Sequence, residues 1–538
     1  MGTVADSAMV VSAHPLATAV GVEIMQRGGN AIDAAVGVQF ALAVVYPVAG
    51  NIGGGGFMMT RMHNGEVTAL DYREKAPLAA HRDMYLNDSG QVIEDLSVLG
   101  HLAAGVPGTV AGMWEAHQRY GQLPWAQVVE PAVRLAAEGF LLTEKEAESY
   151  NGHAEQLVQY NTVAPAFLLK AEGWQPGDTV RMPELASTLM AIRDHGMDGF
   201  YRGPVADLLI AEMARGQGMI THEDLQTYTA EWRTPVATQY RGHHIFSMPP
   251  PSSGGIALAQ LLTLLEGYPL ADWAPHSVEK VHLVAEAERR VYADRATHLG
   301  DSDFWEVPMA QLTDSLYLMT RMLTFDPERA TPSDSVLAGQ FAVAESEQTT
   351  HYSIVDAQGN AVSVTTTLNG SMGSHVVVAG AGFLLNNEMD DFSIKPGVPN
   401  SYGLVGGEAN AIAAGKRMLS SMSPTLVEKE GQLYLVVGTP GGSTIITSVL
   451  QTIVNVMDHG MNMQQAVAYP RFHHQWRPDQ IFVEAEALDA KTRAALRALG
   501  HTVVERESIG RVDAILIRDD GKLEGGADPR GDDTALGY

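Results

Sequence analysis

The chain of 538 residues has no cysteine, which excludes disulfides, thiolate metal sites and thiol nucleophiles alike. Basic residues are scarce beside acidic ones, 35 against 63. The resulting charge of −28 argues against nucleic acid and anionic membrane surfaces as partners, since both would repel it. No apolar run is long enough to cross a bilayer. The most apolar stretch, residues 31–48, holds Asp33, Gln39 and Pro47 and falls short of the roughly 20 residues a crossing needs, so it reads as a buried helix. The start, Met1-Gly2-Thr3-Val4, lacks the charged and apolar regions of a signal peptide. Internal repeats are absent too, and the length exceeds that of a usual single core, so two intimately packed segments are expected.

What is present begins at residue 349. A polar, proline- and serine-punctuated stretch, residues 324–348, looks too polar to pack and ends at Thr349-Thr350-His351-Tyr352-Ser353-Ile354-Val355-Asp356, where an alternating strand pattern starts. A threonine in first position can attack the preceding carbonyl, that of Gln348, shifting the acyl group from nitrogen to oxygen; water then frees a new amino terminus. The freed α-amine, with a reference pKa near 8, can act as general base for its own hydroxyl, so no histidine base is required. The plain alternative is that Thr349 only opens a β-hairpin, as β-branched residues often do.

Residues 351–356 and 361–367 alternate around Gln358-Gly359-Asn360, a hairpin that brings Thr349 opposite the segment Thr367 to Asn369. Thr367 and Asn369 share a face, because strand side chains repeat every two residues. Ser363 and Thr365 read equally well as the polar face of an edge hairpin. Further on, residues 432–438 read as a buried strand, Thr439-Pro440-Gly441-Gly442-Ser443 as a tight turn and residues 444–457 as an apolar helix. In such an arrangement the backbone N–H groups of Gly441 and Gly442 suit an oxyanion. The turn carries neither Gly-Lys-Ser/Thr nor GxGxxG, which weighs against a phosphate loop.

The rest of the pattern predicts a helix over 30–46 and a hairpin of 57–62 with 66–72 across Asn64-Gly65, leaving Arg73 just beyond a strand end. Helices are expected at 131–138, 185–195, 204–214, 277–292 and 490–499, with a strand near 236–247. Two histidine pairs, His243-His244 and His473-His474, are adjacent in sequence; on a strand their rings point to opposite faces, so no metal site is expected. His351 reads as a satisfied structural histidine that could assist processing. The acidic tail 528–533 reads as a turn with a local ion pair rather than a calcium site.

Several long motifs resemble those of one family. They are Asn51-Ile52-Gly53-Gly54-Gly55-Gly56-Phe57, Asp71-Tyr72-Arg73-Glu74, Thr349-Thr350-His351-Tyr352-Ser353, Leu385-Asn386-Asn387-Glu388-Met389-Asp390-Asp391-Phe392, Leu419-Ser420-Ser421-Met422-Ser423-Pro424 and Pro440-Gly441-Gly442-Ser443. Together they resemble the γ-glutamyltranspeptidases, members of the N-terminal nucleophile hydrolases, over nearly the whole chain. That resemblance implies a four-layer α-β-β-α sandwich, an α/β (α+β) fold. It also implies cleavage between Gln348 and Thr349 into a large subunit, 1–348, and a small subunit, 349–538, that stay together as a heterodimer.

The resemblance further implies Thr349 as processing residue and nucleophile, Thr367 as the threonine that orients it, and Gly441 with Gly442 as the oxyanion hole. Arg73, Asn369, Glu388, Asp391, Ser420 and Ser421 resemble the set that grips the γ-glutamyl moiety. Glu388 and Asp391 are expected to face its ammonium; Arg73, Ser420 and Ser421 are expected to face its carboxylate. Some relatives carry Gln at the position of Glu388. The stretch 396–407 resembles the lid loop found in many, but not all, members, with Tyr402 closing over the substrate beside Asn369.

The expected reaction cleaves the γ-glutamyl amide of glutathione, glutamine or related donors and passes the acyl group to water or to an amino acid or peptide. No cofactor is needed, and family resemblance alone implies a periplasmic or extracellular location. Two alternatives stay open. One is a related glutaryl or cephalosporin acylase, whose substrate lacks the α-ammonium. The other is an unprocessed, non-catalytic protein that binds γ-glutamyl ligands.

Overall fold

The computed structural model of the chain describes residues 2–337, 348–395 and 407–538. Its strands run in chain order as β1 (Thr3–Ala5), β2 (Met9–Ser12), β3 (Gly55–Arg61), β4 (Val67–Tyr72), β5 (Glu231–Arg233), β6 (Val236–Tyr240) and β7 (His243–Ser247). Then follow β8 (Gln348–Val355), β9 (Ala361–Asn369), β10 (Thr425–Lys429), β11 (Gln432–Gly438), β12 (Asp513–Ile517), β13 (Leu523–Gly526) and β14 (Thr534–Gly537). They form two 7-stranded sheets, ordered β14-β2-β8-β9-β3-β4-β5 and β1-β13-β12-β11-β10-β7-β6. Each sheet mixes strands from both sides of residue 349, so the two stretches of chain are interleaved.

Helices α1 (Pro15–Gln26) and α2 (Ala31–Val45) cover the outer face of the first sheet. Helices α3 (Gly254–Leu265), α4 (Val278–His298) and α5 (Thr444–Met457) cover the second. The order helix, sheet, sheet, helix is the expected sandwich. Helix α2 starts where Asn30 accepts from the N–H groups of Ile32 and Asp33, at 3.0 Å each, while Asp33 reaches back to Asn30 N. All its residues are buried, which explains its apolar run. Gln39 is tolerated inside because its amide donates to Asn51 O at 3.0 Å and accepts from the Tyr352 hydroxyl at 3.2 Å.

The hairpin β8-β9 lies at the centre of the first sheet, not at an edge, so its polar face is buried. Ser353 Oγ donates to Asp513 O at 3.0 Å and Ser363 Oγ to Val437 O at 3.2 Å, stitching the two sheets together face to face. Thus the alternation in these strands separates an apolar face toward α2 from a hydrogen-bonded face toward the second sheet.

Three expectations need correction. Residues 236–247 form a hairpin, not one strand: Arg241 (φ 49°) and Gly242 (φ 75°) make a two-residue turn between β6 and β7. The helix expected from Pro131 begins earlier, at Trp125, with Pro131 inside it. Residues 324–337 do pack, Phe325 and Val336 through apolar contacts and the rest through polar partners. Ala330 N donates to Leu499 O at 2.7 Å, Thr331 N to Glu286 at 3.0 Å and Ser333 N to Asp479 at 2.8 Å, while the Trp476 indole caps Ser333 O at 3.0 Å.

Candidate active site

Thr349 is the second residue of β8 and pairs with Thr367 of β9; a register shift separates it from the next pair, Gln348 with Asn369. The shift inserts Leu368 and lets β9 turn out of the sheet. Asn369 completes that turn at φ 70°, a left-handed conformation asparagine tolerates better than most residues. Its N–H donates to Thr367 Oγ1 at 2.7 Å, and its side-chain amide donates to Asn387 O at 3.0 Å. Thr349 is the residue across the pair from this hydroxyl. Both threonines are buried, Thr349 at 7 % exposure.

Asn387 leads directly to the acidic turn. Glu388 and Asp391 both close on the guanidinium of Arg73, one on each terminal nitrogen. Arg73 also reaches Met418 O at 3.3 Å and Leu419 O at 3.2 Å, the carbonyls just before Ser420. Its backbone is fixed as well, with N donating to Asp71 at 2.9 Å and O accepting from the Tyr228 hydroxyl at 2.8 Å. The sequence separates donors from acceptors into two ends of a pocket. The structure instead pairs the arginine with both acids, because a buried guanidinium needs counter-charges within reach.

A third carboxyl belongs to this cluster. Glu74 is fully buried and lies 3.5 Å from Arg73, in hydrogen-bonding contact with Glu388. Burial pushes Glu74 up to about 7 despite Arg73, and pushes Glu388 well above the carboxylate range. Among the described residues, no donor reaches Glu74 Oε1 or Glu388 Oε2. With burial raising both, the pair favours a protonated carboxyl.

Ser420 and Ser421 form a turn that sequence reasoning found without its support. Ser420 O accepts from Ser253 N at 2.6 Å and Ser253 Oγ at 2.7 Å. Ser421 Oγ accepts from Arg295 at 3.1 Å. Ser252, Ser253, Arg295 and Glu74 were all missed as site residues. The run Pro249-Pro250-Pro251-Ser252-Ser253-Gly254-Gly255 was the available signal for the first two.

The glycine turn behaves as its sequence suggests. β11 ends at Gly438, where any Cβ would collide with the His351 ring, so the strand end lies directly on β8 two residues from Thr349. Gly441 (φ 130°) and Gly442 (φ 55°) then lead into α5, their carbonyls accepting from Thr444 N and Ile445 N at 3.0 Å each. A side chain at Gly441 would strike Thr444 Oγ1. With those carbonyls committed to the helix, N–H groups are what the turn can offer an anion.

His351 is a structural residue. It bonds Thr365 at 2.9 Å and Ser353 at 3.1 Å, and burial pushes its pKa down to about 3, so it is neutral. His473 bonds Thr447 and Gln475, and His474 accepts from Trp476 N. One cluster among the described residues, His282, Glu286 and His501, has metal-ligand spacing. Its two rings bond each other at 2.7 Å, and Glu286 is taken by Arg289, Arg290 and Thr331 N. The tail has one local ion pair, Asp528 with Arg530 at 3.0 Å, and is also held by distant arginines, Asp528 by Arg471 at 2.8 Å and Asp533 by Arg511. Tyr402 and most of the loop 396–407 lie outside the described residues.

A threonine-led strand, a glycine turn before a helix and a buried arginine with acids can together hold an amino-acid group and transfer its acyl end. The comparisons agree. The gamma-glutamyltranspeptidase family profile matches residues 17–538. The chain is 47 % identical over 536 residues to the glutathione hydrolase proenzyme of Escherichia coli (strain K12), covering 99 % of this chain and 92 % of that one. Against the glutathione hydrolase proenzyme of Pseudomonas aeruginosa, identity is 49 % over 540 residues, covering 99 % and 94 %. The crystal structure of a cephalosporin acylase from Bacillus halodurans superposes with a TM-score of 0.88 at 26 % identity, covering 100 % of this chain and 97 % of that one. With one family spanning almost its full length and near-complete relatives close to half identical, this chain belongs to the gamma-glutamyltranspeptidase family.

Proposed function

We propose that the protein is a self-processing γ-glutamyltransferase and glutathione hydrolase. Thr349 Oγ1 attacks the Gln348 carbonyl; the C–N bond breaks as the Thr349 nitrogen takes the proton, and water cleaves the resulting ester. The products are subunits 1–348 and 349–538, held together by sheets to which both contribute strands. In the mature enzyme the α-amine of Thr349 accepts the proton of its own hydroxyl as Oγ1 attacks the γ-carbonyl of the donor. The N–H groups of Gly441 and Gly442 stabilise the oxyanion, worth about 3–4 kcal/mol per lost donor in comparable sites. The leaving amine takes the proton, and the γ-glutamyl ester passes to water or to the amine of an amino acid or peptide.

The observation that carries this reading is the continuous path from Thr349, across its pair with Thr367, through Asn369 and Asn387 to Arg73, Glu388 and Asp391. It ties a nucleophile position to a cluster with more carboxyls than cations. Such a cluster suits a zwitterionic glutamyl end better than a glutaryl end, which brings a carboxylate with no ammonium to balance it. Family membership alone supports a place in the periplasm or outside the cell; among the described residues no helix is long and apolar enough to cross a membrane.

The test is intact-mass analysis with an assay on L-γ-glutamyl-4-nitroanilide, with and without glycylglycine. Two fragments split before Thr349, activity raised by the acceptor, and an uncut, inactive Thr349→Ala are expected. One active uncut chain, or two fragments from Thr349→Ala, overturns the assignment.

A further inference from the structure

We infer that Arg295, on α4, is the positioning residue that aims the Ser420–Ser421 turn at the α-carboxylate of the donor, an inference that rests on the function proposed above. Arg295 is buried at 1 % exposure. One edge of its guanidinium grips two hydroxyls: Nε donates to Ser253 Oγ at 2.8 Å and Nη2 to Ser421 Oγ at 3.1 Å.

A guanidinium donates and never accepts, so these bonds set the polarity of everything beyond them. Ser253 Oγ, having accepted, gives its proton to Ser420 O at 2.7 Å, and Ser253 N adds a second bond to the same carbonyl at 2.6 Å. Ser420 is thereby fixed from behind. Its Oγ accepts from Met422 N at 3.2 Å, and Ser421 Oγ accepts from Arg295. Each serine therefore has an O–H proton still to donate, and the two stand in adjacent positions beside the carbonyls of Met418 and Leu419 that hold Arg73.

A carboxylate accepts only, so two hydroxyls whose acceptor roles are already filled match it better than freely rotating ones. Without Arg295, Ser421 could turn its hydroxyl either way, and the polarity of the pair would be lost. Lysine keeps the charge but has no planar fork to hold Ser253 and Ser421 together. Arg295 acts through these serines and touches no reacting atom.

The experiment compares L-γ-glutamyl-4-nitroanilide with 4-aminobutanoyl-4-nitroanilide, which keeps the ammonium and lacks the α-carboxylate. Arg295→Lys should lower kcat/KM for the first at least about tenfold, mainly through KM, and change the second by no more than about twofold. With Ser421→Ala added, the loss should not multiply, because the arginine works through that hydroxyl. Ser253→Ala leaves Arg295 in place and should show the same selectivity at about threefold or more, which keeps the test open if Arg295→Lys does not fold or process. Equal losses on both anilides, or an unchanged γ-glutamyl KM, overturn the role of Arg295. A wild-type enzyme that treats both anilides alike overturns the γ-glutamyl reading itself.

Discussion

The backbone N–H of Asn369 donates to Thr367 Oγ1 at 2.7 Å, tying that hydroxyl to the turn that ends β9. Its acceptor side is occupied from within its own strand, and Thr349 faces it across the ladder. Thr367→Val keeps the shape and removes the polarity. Processing and kcat should both slow by about 10–100-fold, with KM for the γ-glutamyl anilide little changed. Gel densitometry over time and steady-state kinetics of the processed fraction measure the two effects; wild-type rates in both would remove Thr367 from the mechanism.

Arg73→Lys keeps a charge but loses the span between Glu388 and Asp391 and the bonds to Met418 O and Leu419 O. Breaking a buried ion cluster typically costs about 3–5 kcal/mol. A lower Tm and a KM raised at least about tenfold are the expected results, read by thermal denaturation and initial rates. A silent substitution would mean the guanidinium geometry is irrelevant.

The raised carboxyl of Glu74 makes substrate capture depend on pH. Glu74 is pushed up to about 7, so below that pH the cluster holds the proton and presents less negative charge to an ammonium. KM should therefore fall as pH rises toward 7, by at most about tenfold per unit, and level off above it. Glu74→Gln cannot titrate, and its KM should be flat between pH 5.5 and 7.5, whatever its absolute value. A wild-type profile as flat as the variant's would exclude titration of Glu74 in this range.

Buried neutral histidines make the fold acid-sensitive. His351 is pushed down to about 3 by burial, whereas in the unfolded chain it takes a proton near 6.5. A lowered native pKa gives stability that is complete above 6.5 and lost as pH falls from there toward 3. In His351→Gln, which retains polar atoms for Thr365 and Ser353, this loss is absent. The wild type's advantage over the variant should shrink by up to about 1.4 kcal/mol per pH unit below 6.5, measured by denaturant titration at pH 7, 6 and 5. A constant difference would mean that His351 is protonated in the folded protein.

Much of the scaffold was legible because its signals are local. Strand alternation, the turn at Gln358-Gly359-Asn360, the helix over 30–46 and the glycine turn before α5 each rest on local signals, and the structure keeps them. What misled were places where distant partners supply the energy. Residues 324–337 look too polar to pack, yet Glu286, Asp479, Trp476 and Leu499 hold them. Ser363 and Thr365 look like the polar face of an edge hairpin, yet Ser363 bonds the opposite sheet and Thr365 bonds the buried ring of His351.

By itself, the sequence determined the strand that carries Thr349 near its start, the glycine-helix junction and the family motifs, since residue type and spacing along the backbone suffice for these. Only the tertiary structure decided that Arg73 pairs with both acids, that Glu74 joins them, and that Arg295 stands behind Ser421, 126 residues further along the chain. The reason is physical: charge pairing and hydrogen-bond polarity are set by what burial brings within about 3 Å, and no local pattern encodes that proximity.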